Sequence, residues 1–153
     1  MNPEIQQHWP FKGTAPKRIV VKVGSNVLSL PEGGLNIPRI DALCQSVASL
    51  RKAGSEVILV SSGAVSAGRA ILGLKKRPGE IPQLQAVAAI GQGALMESWS
   101  KCFRTYGLVP AQVLLTRDDM EDRRRYLNAR LALQAVLDFG AIPVINENDT
   151  VTI

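Results

Sequence analysis

The residues best suited to chemistry lie in three polar segments, each directly after a short apolar run. In the first segment, Lys22 stands two residues before Gly24 and Ser25, so a cation adjoins a loop whose N–H groups can cradle a phosphate. Residues 61–64 form the second segment, and residues 146–150 form the third. These residue types predict a site that handles an anion.

The first segment also has a purely structural interpretation. A lysine in an apolar strand can extend its ammonium group from the strand edge into water. The segment does not follow the P-loop pattern G-x-x-x-x-G-K-[ST], which occurs nowhere in the chain. Taken alone, Lys22 with Gly24 and Ser25 is therefore a weak pattern for phosphate binding.

The second segment contains Ser62 and Gly63, which follow a predicted strand and open a predicted helix. A serine at this point can be an ordinary N-cap that bonds a first-turn N–H group. The same position can also present free N–H groups and the positive end of the helix dipole to a carboxylate or phosphate. Ser62 is not expected to act as a nucleophile, because the chain lacks G-x-S-x-G and its single histidine is His8.

The third segment has the sequence Asn-Glu-Asn-Asp-Thr and follows the last predicted strand. Asn and Asp readily make turns, so a polar turn is one interpretation. The other is recognition of an ammonium group, since Asn146 and Asp149 offer acceptor oxygens of the kind that an amino-acid amine requires. No cluster of partner ligands accompanies them, so no metal site is predicted.

Alternating strands and helices must position these segments. Apolar runs predict strands at residues 19–23, 57–60, 111–115 and 142–145, the first of them buried on both faces. Helical spacing predicts helices at residues 36–53, 62–73, 84–106 and from residue 118 or 119 to 140. Gly91 and Gly93 inside the long helix indicate either a close helix contact or a break. The order predicts a parallel sheet with ligands at the carboxyl ends of the strands.

Composition excludes several classes of protein. The 153 residues are 46% hydrophobic and 20% charged, which is typical of one globular domain, and no apolar run is long enough to span a membrane. Residues 1–17 are expected to be an irregular leader without a secretory signal, so a cytoplasmic location is expected. The net charge of +5 is interleaved with acids, and aromatics make up 5%, so no nucleic-acid partner is expected. Cys44 and Cys102 are predicted to be reduced, in or near the core.

Four segments carry a resemblance to a known family. The chain resembles the glutamate 5-kinase family of the amino acid kinase superfamily over about residues 17–153. The matching segments are residues 114–117 (Leu-Leu-Thr-Arg), 120–123 (Met-Glu-Asp-Arg), 127–130 (Leu-Asn-Ala-Arg) and 144–149 (Val-Ile-Asn-Glu-Asn-Asp). The resemblance implies a three-layer α/β/α sandwich with a mainly parallel open sheet. It also implies ATP-dependent phosphorylation of the γ-carboxylate of L-glutamate, the first step of proline biosynthesis.

The resemblance also implies roles for individual residues. Lys22 matches the catalytic lysine that contacts phosphate, and Gly24 with Ser25 matches the loop that binds ATP phosphates. The glutamate-binding residues it implies are Ser62, Gly63, Asn146 and Asp149. Mg²⁺ is expected to accompany ATP, but no residue of this chain is identified as its ligand.

The family pattern continues beyond the length of this chain. Residues 18–153 are therefore expected to be the N-terminal, glutamate-binding part of the kinase domain, with the nucleotide-binding half absent and a homo-oligomer as the expected assembly. Two alternatives stay open: another amino acid kinase, acting on carbamate or acetylglutamate, and a non-catalytic module that binds an anion or forms oligomers.

Overall fold

The computed structural model of the chain describes residues 16–152. Their four strands form one sheet in the order β1-β2-β4-β3, and all neighbouring strands are parallel. The strands are β1 (Arg18–Val23), β2 (Glu56–Ser61), β3 (Pro110–Leu115) and β4 (Ile142–Glu147). The predicted α/β class with a parallel open sheet is confirmed. Most of the predicted leader, residues 1–15, lies outside the described residues.

The described residues also contain six helices. They are α1 (Ser25–Leu28), α2 (Ile37–Lys52), α3 (Ala64–Ile71), α4 (Ile81–Thr105), α5 (Arg117–Glu121) and α6 (Arg123–Asp138). The predicted start of α2 is confirmed, because the Asn36 side chain accepts a hydrogen bond from the backbone N–H of Arg39 at 3.1 Å. No helix among these residues combines the length and the apolar content needed to cross a lipid bilayer.

The main core lies between the sheet and helices α2 and α4. Val57 and Leu59 of β2 are fully buried there, together with Trp99 and Phe103 of α4. The two aromatic rings stack with their centroids 5.7 Å apart. Trp99 is the largest fully buried side chain among the described residues, and large aromatics dominate the apolar area that a core removes from water. This layer therefore supplies most of the packing that holds the sheet in place.

The two cysteines lie in or next to this core. Cys44 of α2 is fully buried, Cys102 of α4 is half-buried, and both are free. Burial raises the pKa of both thiols above the ordinary value, which keeps them neutral and unreactive. The predicted location of both cysteines in or near the core is confirmed.

The second face of the sheet carries α6, which completes three layers. Ile58 and Ile145 line a groove with Leu137 of α6, and successive residues of a strand point to opposite faces. The prediction that β1 is buried on both faces is wrong. Val20 is 61% exposed, because β1 is an edge strand of the described sheet; Arg18 at its start hydrogen-bonds Gln134 of α6.

Gly91 of α4 and Gly68 of α3 mark a close contact between these two helices. A Cβ atom on Gly91 would lie 1.8 Å from the carbonyl oxygen of Ala64, and one on Gly68 would lie 1.9 Å from that of Val87. Helices α3 and α4 therefore touch backbone to backbone. A Cβ on Gly93 would meet nothing within 4 Å, and α4 continues through both glycines without a break.

The helix predicted to run from residue 118 or 119 to 140 is two helices. Thr116 begins α5 with a capping box, in which its hydroxyl accepts from the backbone N–H of Asp119 while the Asp119 carboxylate accepts from the backbone N–H of Thr116. Asp122 then ends α5 and caps α6 by accepting from the backbone N–H of Arg125. Periodicity missed the break because Asp122 interrupts the helix for a single residue.

Candidate functional site

The carboxyl ends of β1, β2 and β4 open onto one cavity of about 370 Å³. Sites for small molecules occupy about 300–1,000 Å³. The cavity is lined by residues from all three predicted segments: Ser25, Ser62, Gly63, Asn146 and Asp149. Parallel strands bring their carboxyl ends to one edge of a sheet, which explains how segments more than 80 residues apart come together.

The wall formed by α3 presents a helix N-terminus. The helix begins at Ala64, two residues later than predicted, and its N-cap is Gly63 in a left-handed conformation with φ of +110°. No side chain caps this end, so the alternative of a serine N-cap is wrong. The first-turn N–H groups and the positive end of the dipole therefore face the cavity, where an anion would be favoured.

Ser61 has a structural role next to this wall. It is 2% exposed, and its hydroxyl accepts a hydrogen bond of 3.0 Å from Nε1 of Trp99. The contact satisfies the polar end of a buried indole and ties the carboxyl end of β2 to α4. Ser62, the next residue, points to the opposite side of the chain and lines the cavity.

The opposite wall holds Asn146, which is 8% exposed. Its Nδ2 donates a hydrogen bond of 2.8 Å to Oε1 of Gln92 in α4. This bond fixes the orientation of the amide and uses a donor, so the side-chain oxygen is the group left to accept from a ligand. A buried amide held in this way can recognise an ammonium group.

Asp149 and Glu147 give this wall negative charge, and both line the cavity. Partial burial raises the pKa of Asp149 above its ordinary value of 3.8, and the neighbouring Glu147 carboxylate raises it further. Arg77 acts in the opposite direction. A desolvated carboxylate beside a second carboxylate favours an incoming cation, because the cation relieves both penalties.

Lys22 and Gly24 are not among the residues that line the cavity. Lys22 is exposed, and it lies on the side of β1 that faces away from the main core, because Val21 and Val23 point into that core. No ion pair joins Lys22 to another residue in the described part of the chain. Gly24 is the N-cap of the single-turn helix α1 and has open space beside its Cα atom.

The lining residues that the sequence interpretation missed include Ser29, Ser66, Arg69 and Arg77. The spacing of Ser62, Ser66 and Arg69 follows one face of a helix and could have indicated Arg69. Ser29 and Arg77 lie in or next to loops whose paths depend on the tertiary fold. Within residues 16–152, no group of three or more His, Cys, Asp or Glu side chains is placed to hold a metal ion.

Comparison with known proteins relates the chain to enzymes of one kind. The model of the amino acid kinase family matches residues 17–153. A glutamate 5-kinase of Geobacter metallireducens is 58% identical over 137 residues, which are 90% of this chain and 37% of that protein. Glutamate 5-kinases of Thermus thermophilus and Thermoanaerobacter sp. are 56% and 51% identical over 91% and 89% of this chain. The chain spans 37% of the length of each of these relatives.

Proposed function

The chain belongs to the amino acid kinase family, and from this premise we propose that it is the glutamate-binding part of a glutamate 5-kinase. The enzyme transfers a phosphoryl group from ATP to the γ-carboxylate of L-glutamate and forms glutamyl 5-phosphate, the first step of proline biosynthesis. The curated relatives named glutamate 5-kinase support this proposal. The observation that carries it is the cavity where an uncapped helix N-terminus faces acceptor groups suited to an amine.

Glutamate is a dicarboxylate with an ammonium group, and the cavity offers a partner for each kind of charge. Asp149 and the side-chain oxygen of Asn146 accept from the ammonium group. Ser62, Gly63 and the N-terminus of α3 orient a carboxylate. Charge-assisted hydrogen bonds of this kind are roughly twice as strong as neutral ones.

The proposed reaction requires no general base from the protein. The γ-carboxylate has a pKa of about 4.3, so it is ionised at neutral pH and its oxygen can attack the γ-phosphorus directly. Catalysis of phosphoryl transfer then consists mainly of positioning and charge stabilisation. Ser25 and Gly24 would lie against the phosphates, and Lys22 would reach them from the rim of the sheet. Mg²⁺, when bound with ATP, would supply positive charge to the nucleotide phosphates, and we assign it no ligand in this chain.

The proposal is tested in a chimera in which residues 17–153 replace the matching segment of the Geobacter metallireducens relative. ADP release is measured with L-glutamate, carbamate and N-acetyl-L-glutamate as acceptors. We expect release with L-glutamate alone, since the acetylated amine cannot pair with Asp149. A folded chimera that prefers another acceptor, or that releases no ADP with any of them, would contradict the proposal.

Two variants of the chimera separate the proposed roles. Lys22→Ala should lower kcat at least ~10-fold with little change in the KM for glutamate, because Lys22 acts on the transferring phosphoryl group. Asp149→Ala should raise that KM by ~10–100-fold, the effect of losing a hydrogen bond to a charged group. Arg124→Gln is the control, since Arg124 is exposed on α6. Equal KM effects in the two site variants would reject this division.

The isolated chain provides a second check. We expect it to bind L-glutamate weakly and to release no ADP, because the proposed nucleotide-binding half lies in the remainder of the enzyme. Calorimetry that shows micromolar binding of ATP–Mg²⁺ to the chain would contradict this expectation.

We also propose that the enzyme works in the cytoplasm as a homo-oligomer. The strand order leaves β1 and β3 at the edges of the described sheet, and an edge with free backbone groups favours association. Light scattering after size-exclusion chromatography tests the assembly, and a strictly monomeric chimera would contradict it.

A further inference from the structure

We propose that Arg69 binds the α-carboxylate of the substrate, an inference that rests on the proposed function and names a specificity residue for it. Arg69 lies in the last turn of α3 and lines the same cavity as Ser62 and Asp149. It is half-buried, and no carboxylate in the described part of the chain forms an ion pair with it.

The guanidinium group of Arg69 is incompletely satisfied. Its Nη2 donates a hydrogen bond of 2.8 Å to the carbonyl oxygen of Lys75, but its Nε is closed off from solvent and has no acceptor among the described residues. The bond to Lys75 accounts for a structural role at the end of α3. Within residues 16–152 the charge of Arg69 has no ion-pair partner, and a partly buried charge is costly unless an anion compensates it.

A second unsatisfied group lies at the same cavity. Among the described residues, the buried side-chain nitrogen and oxygen atoms without a hydrogen-bond partner are Nε of Arg69 and Oγ of Ser29. Both residues line this cavity. Native structures leave few buried polar groups unpaired, and such groups call for a specific explanation. An anion bound in this cavity would compensate the charge of the Arg69 guanidinium group, and Ser29 lies on the same cavity.

The position of Arg69 selects the α-carboxylate rather than the γ-carboxylate. Its bond to Lys75 joins α3 to the loop that carries Arg77, and Arg77 lies close enough to Asp149 to lower the pKa of that carboxyl. The ammonium group and the α-carboxylate share one carbon atom, so a ligand whose amine pairs with Asp149 directs its α-carboxylate to this cationic end. The γ-carboxylate then extends toward Ser25 and α1.

The test compares L-glutamate with L-isoglutamine, whose α-carboxylate is replaced by a neutral amide while its γ-carboxylate is unchanged. Dissociation constants for both compounds are measured by NMR titration of the 153-residue chain, and kcat/KM is measured in the chimera. We expect the unmodified protein to prefer L-glutamate ~10-fold or more, the effect of one charge-assisted hydrogen bond. In Arg69→Gln, the preference should fall to about twofold or less, because only L-glutamate loses a partner.

Controls separate binding from structure. Arg124→Gln removes an exposed arginine of the same chemistry and should keep the full preference. Arg69→Lys keeps the charge without the planar fork and should restore part of the preference. If Arg69→Gln weakens both compounds equally, the residue acts only through Lys75, and the proposal is overturned.

The outcomes also distinguish this inference from the proposed function. L-Glutamate binding with an unchanged preference in Arg69→Gln would contradict the role of Arg69 and leave the kinase proposal intact. Absence of L-glutamate binding to the chain, together with absence of ADP release by the folded chimera, would contradict the kinase proposal and this inference with it.

Discussion

The interior beneath α2 and α4 and the cavity at the sheet edge differ in how far the hydrogen bonds of their described polar groups are satisfied. In the interior, the hydroxyl of Ser61 satisfies the indole N–H of Trp99, and both groups are buried. In the cavity, Ser29 and Arg69 each keep a buried polar atom that has no partner within residues 16–152, and partial burial raises the pKa of Asp149. The two regions lie on either side of the same strand end, since Ser61 belongs to the interior and Ser62 to the cavity.

This difference predicts that the stability of the fold and the binding of a ligand depend on different residues. A satisfied interior stabilises the fold, because each buried polar group there has exchanged water for a protein partner. Unsatisfied groups in a cavity cost stability, and the cost is offset when a ligand supplies the missing partners. Substitutions in the interior should therefore reduce stability, whereas substitutions in the cavity should reduce binding and leave stability unchanged or improved.

The largest effect is expected for Trp99→Ala. The substitution removes the largest fully buried side chain, its stacking on Phe103 and the partner of Ser61. We expect the free energy of unfolding to fall by about 3–5 kcal/mol, measured by urea denaturation. Phe139→Ala is the control, because Phe139 is 88% exposed and should change stability little. Equal losses in the two variants would contradict the assignment of the core.

A smaller effect is expected for Gly91→Ala, and the opposite effect for Gly93→Ala. The Cβ atom at position 91 would meet the backbone of α3, and overpacking of this kind costs about 1–3 kcal/mol. The Cβ atom at position 93 meets nothing, so alanine there should add up to about 1 kcal/mol through helix propensity.

Thermal and urea unfolding of both glycine variants provides the measurement. Because α3 forms one wall of the cavity, Gly91→Ala should also weaken binding of L-glutamate, and Gly93→Ala should leave that binding unchanged. A Gly91→Ala protein as stable as Gly93→Ala would show that the two helices do not touch as described.

The smallest effect on stability is expected for Asp149→Asn. The folded-state pKa of Asp149 is raised, so its contribution to stability is fully present below about pH 3.8 and is lost as pH rises through the folded-state pKa. Asparagine does not ionise, so the variant does not undergo this loss of stability as pH rises. The variant should therefore match the unmodified chain near pH 3 and become more stable at pH 7, by less than about 1 kcal/mol because solvent screens the half-exposed group.

Unfolding curves for Asp149→Asn at pH 3 and pH 7 test the sign of this shift. L-Glutamate binding at pH 7 should weaken in the same variant, so that stability and function change in opposite directions. A loss of stability at pH 7 would contradict the raised pKa of Asp149. It would indicate that the surroundings of the carboxylate stabilise its charged form.

Some of the fold could be predicted because it depends on local pattern. The four strands follow from short β-branched runs, and α2 follows from its periodic apolar residues and the cap at Asn36. The break between α5 and α6 was missed because one residue, Asp122, satisfies two helix ends at once without disturbing the apolar period. The exposure of Val20 was missed because the identity of an edge strand is a property of the sheet.

The cavity could be predicted only in part for a similar reason. Ser62, Asn146 and Asp149 were identifiable because polar residues follow apolar strands at the carboxyl edge of a parallel sheet. The sequence left open whether the glycines of α4 mark a close helix contact or a break. The position of Gly91 against the backbone of Ala64 shows that there is a close contact with α3. The orientation of Asn146 depends on Gln92, which lies 54 residues away in the chain.

By itself, the sequence determined the order of strands and helices, the parallel sheet and the polar residues at its carboxyl edge, because these depend on periodicity and on neighbours in the chain. The tertiary structure alone decided that Arg69 lines the cavity without an ion pair among the described residues, that Ser61 accepts a hydrogen bond from Trp99 and that Lys22 does not line the cavity. These features depend on which residues far apart in the chain contact one another in the fold. The pattern of residue types along the chain does not specify those contacts.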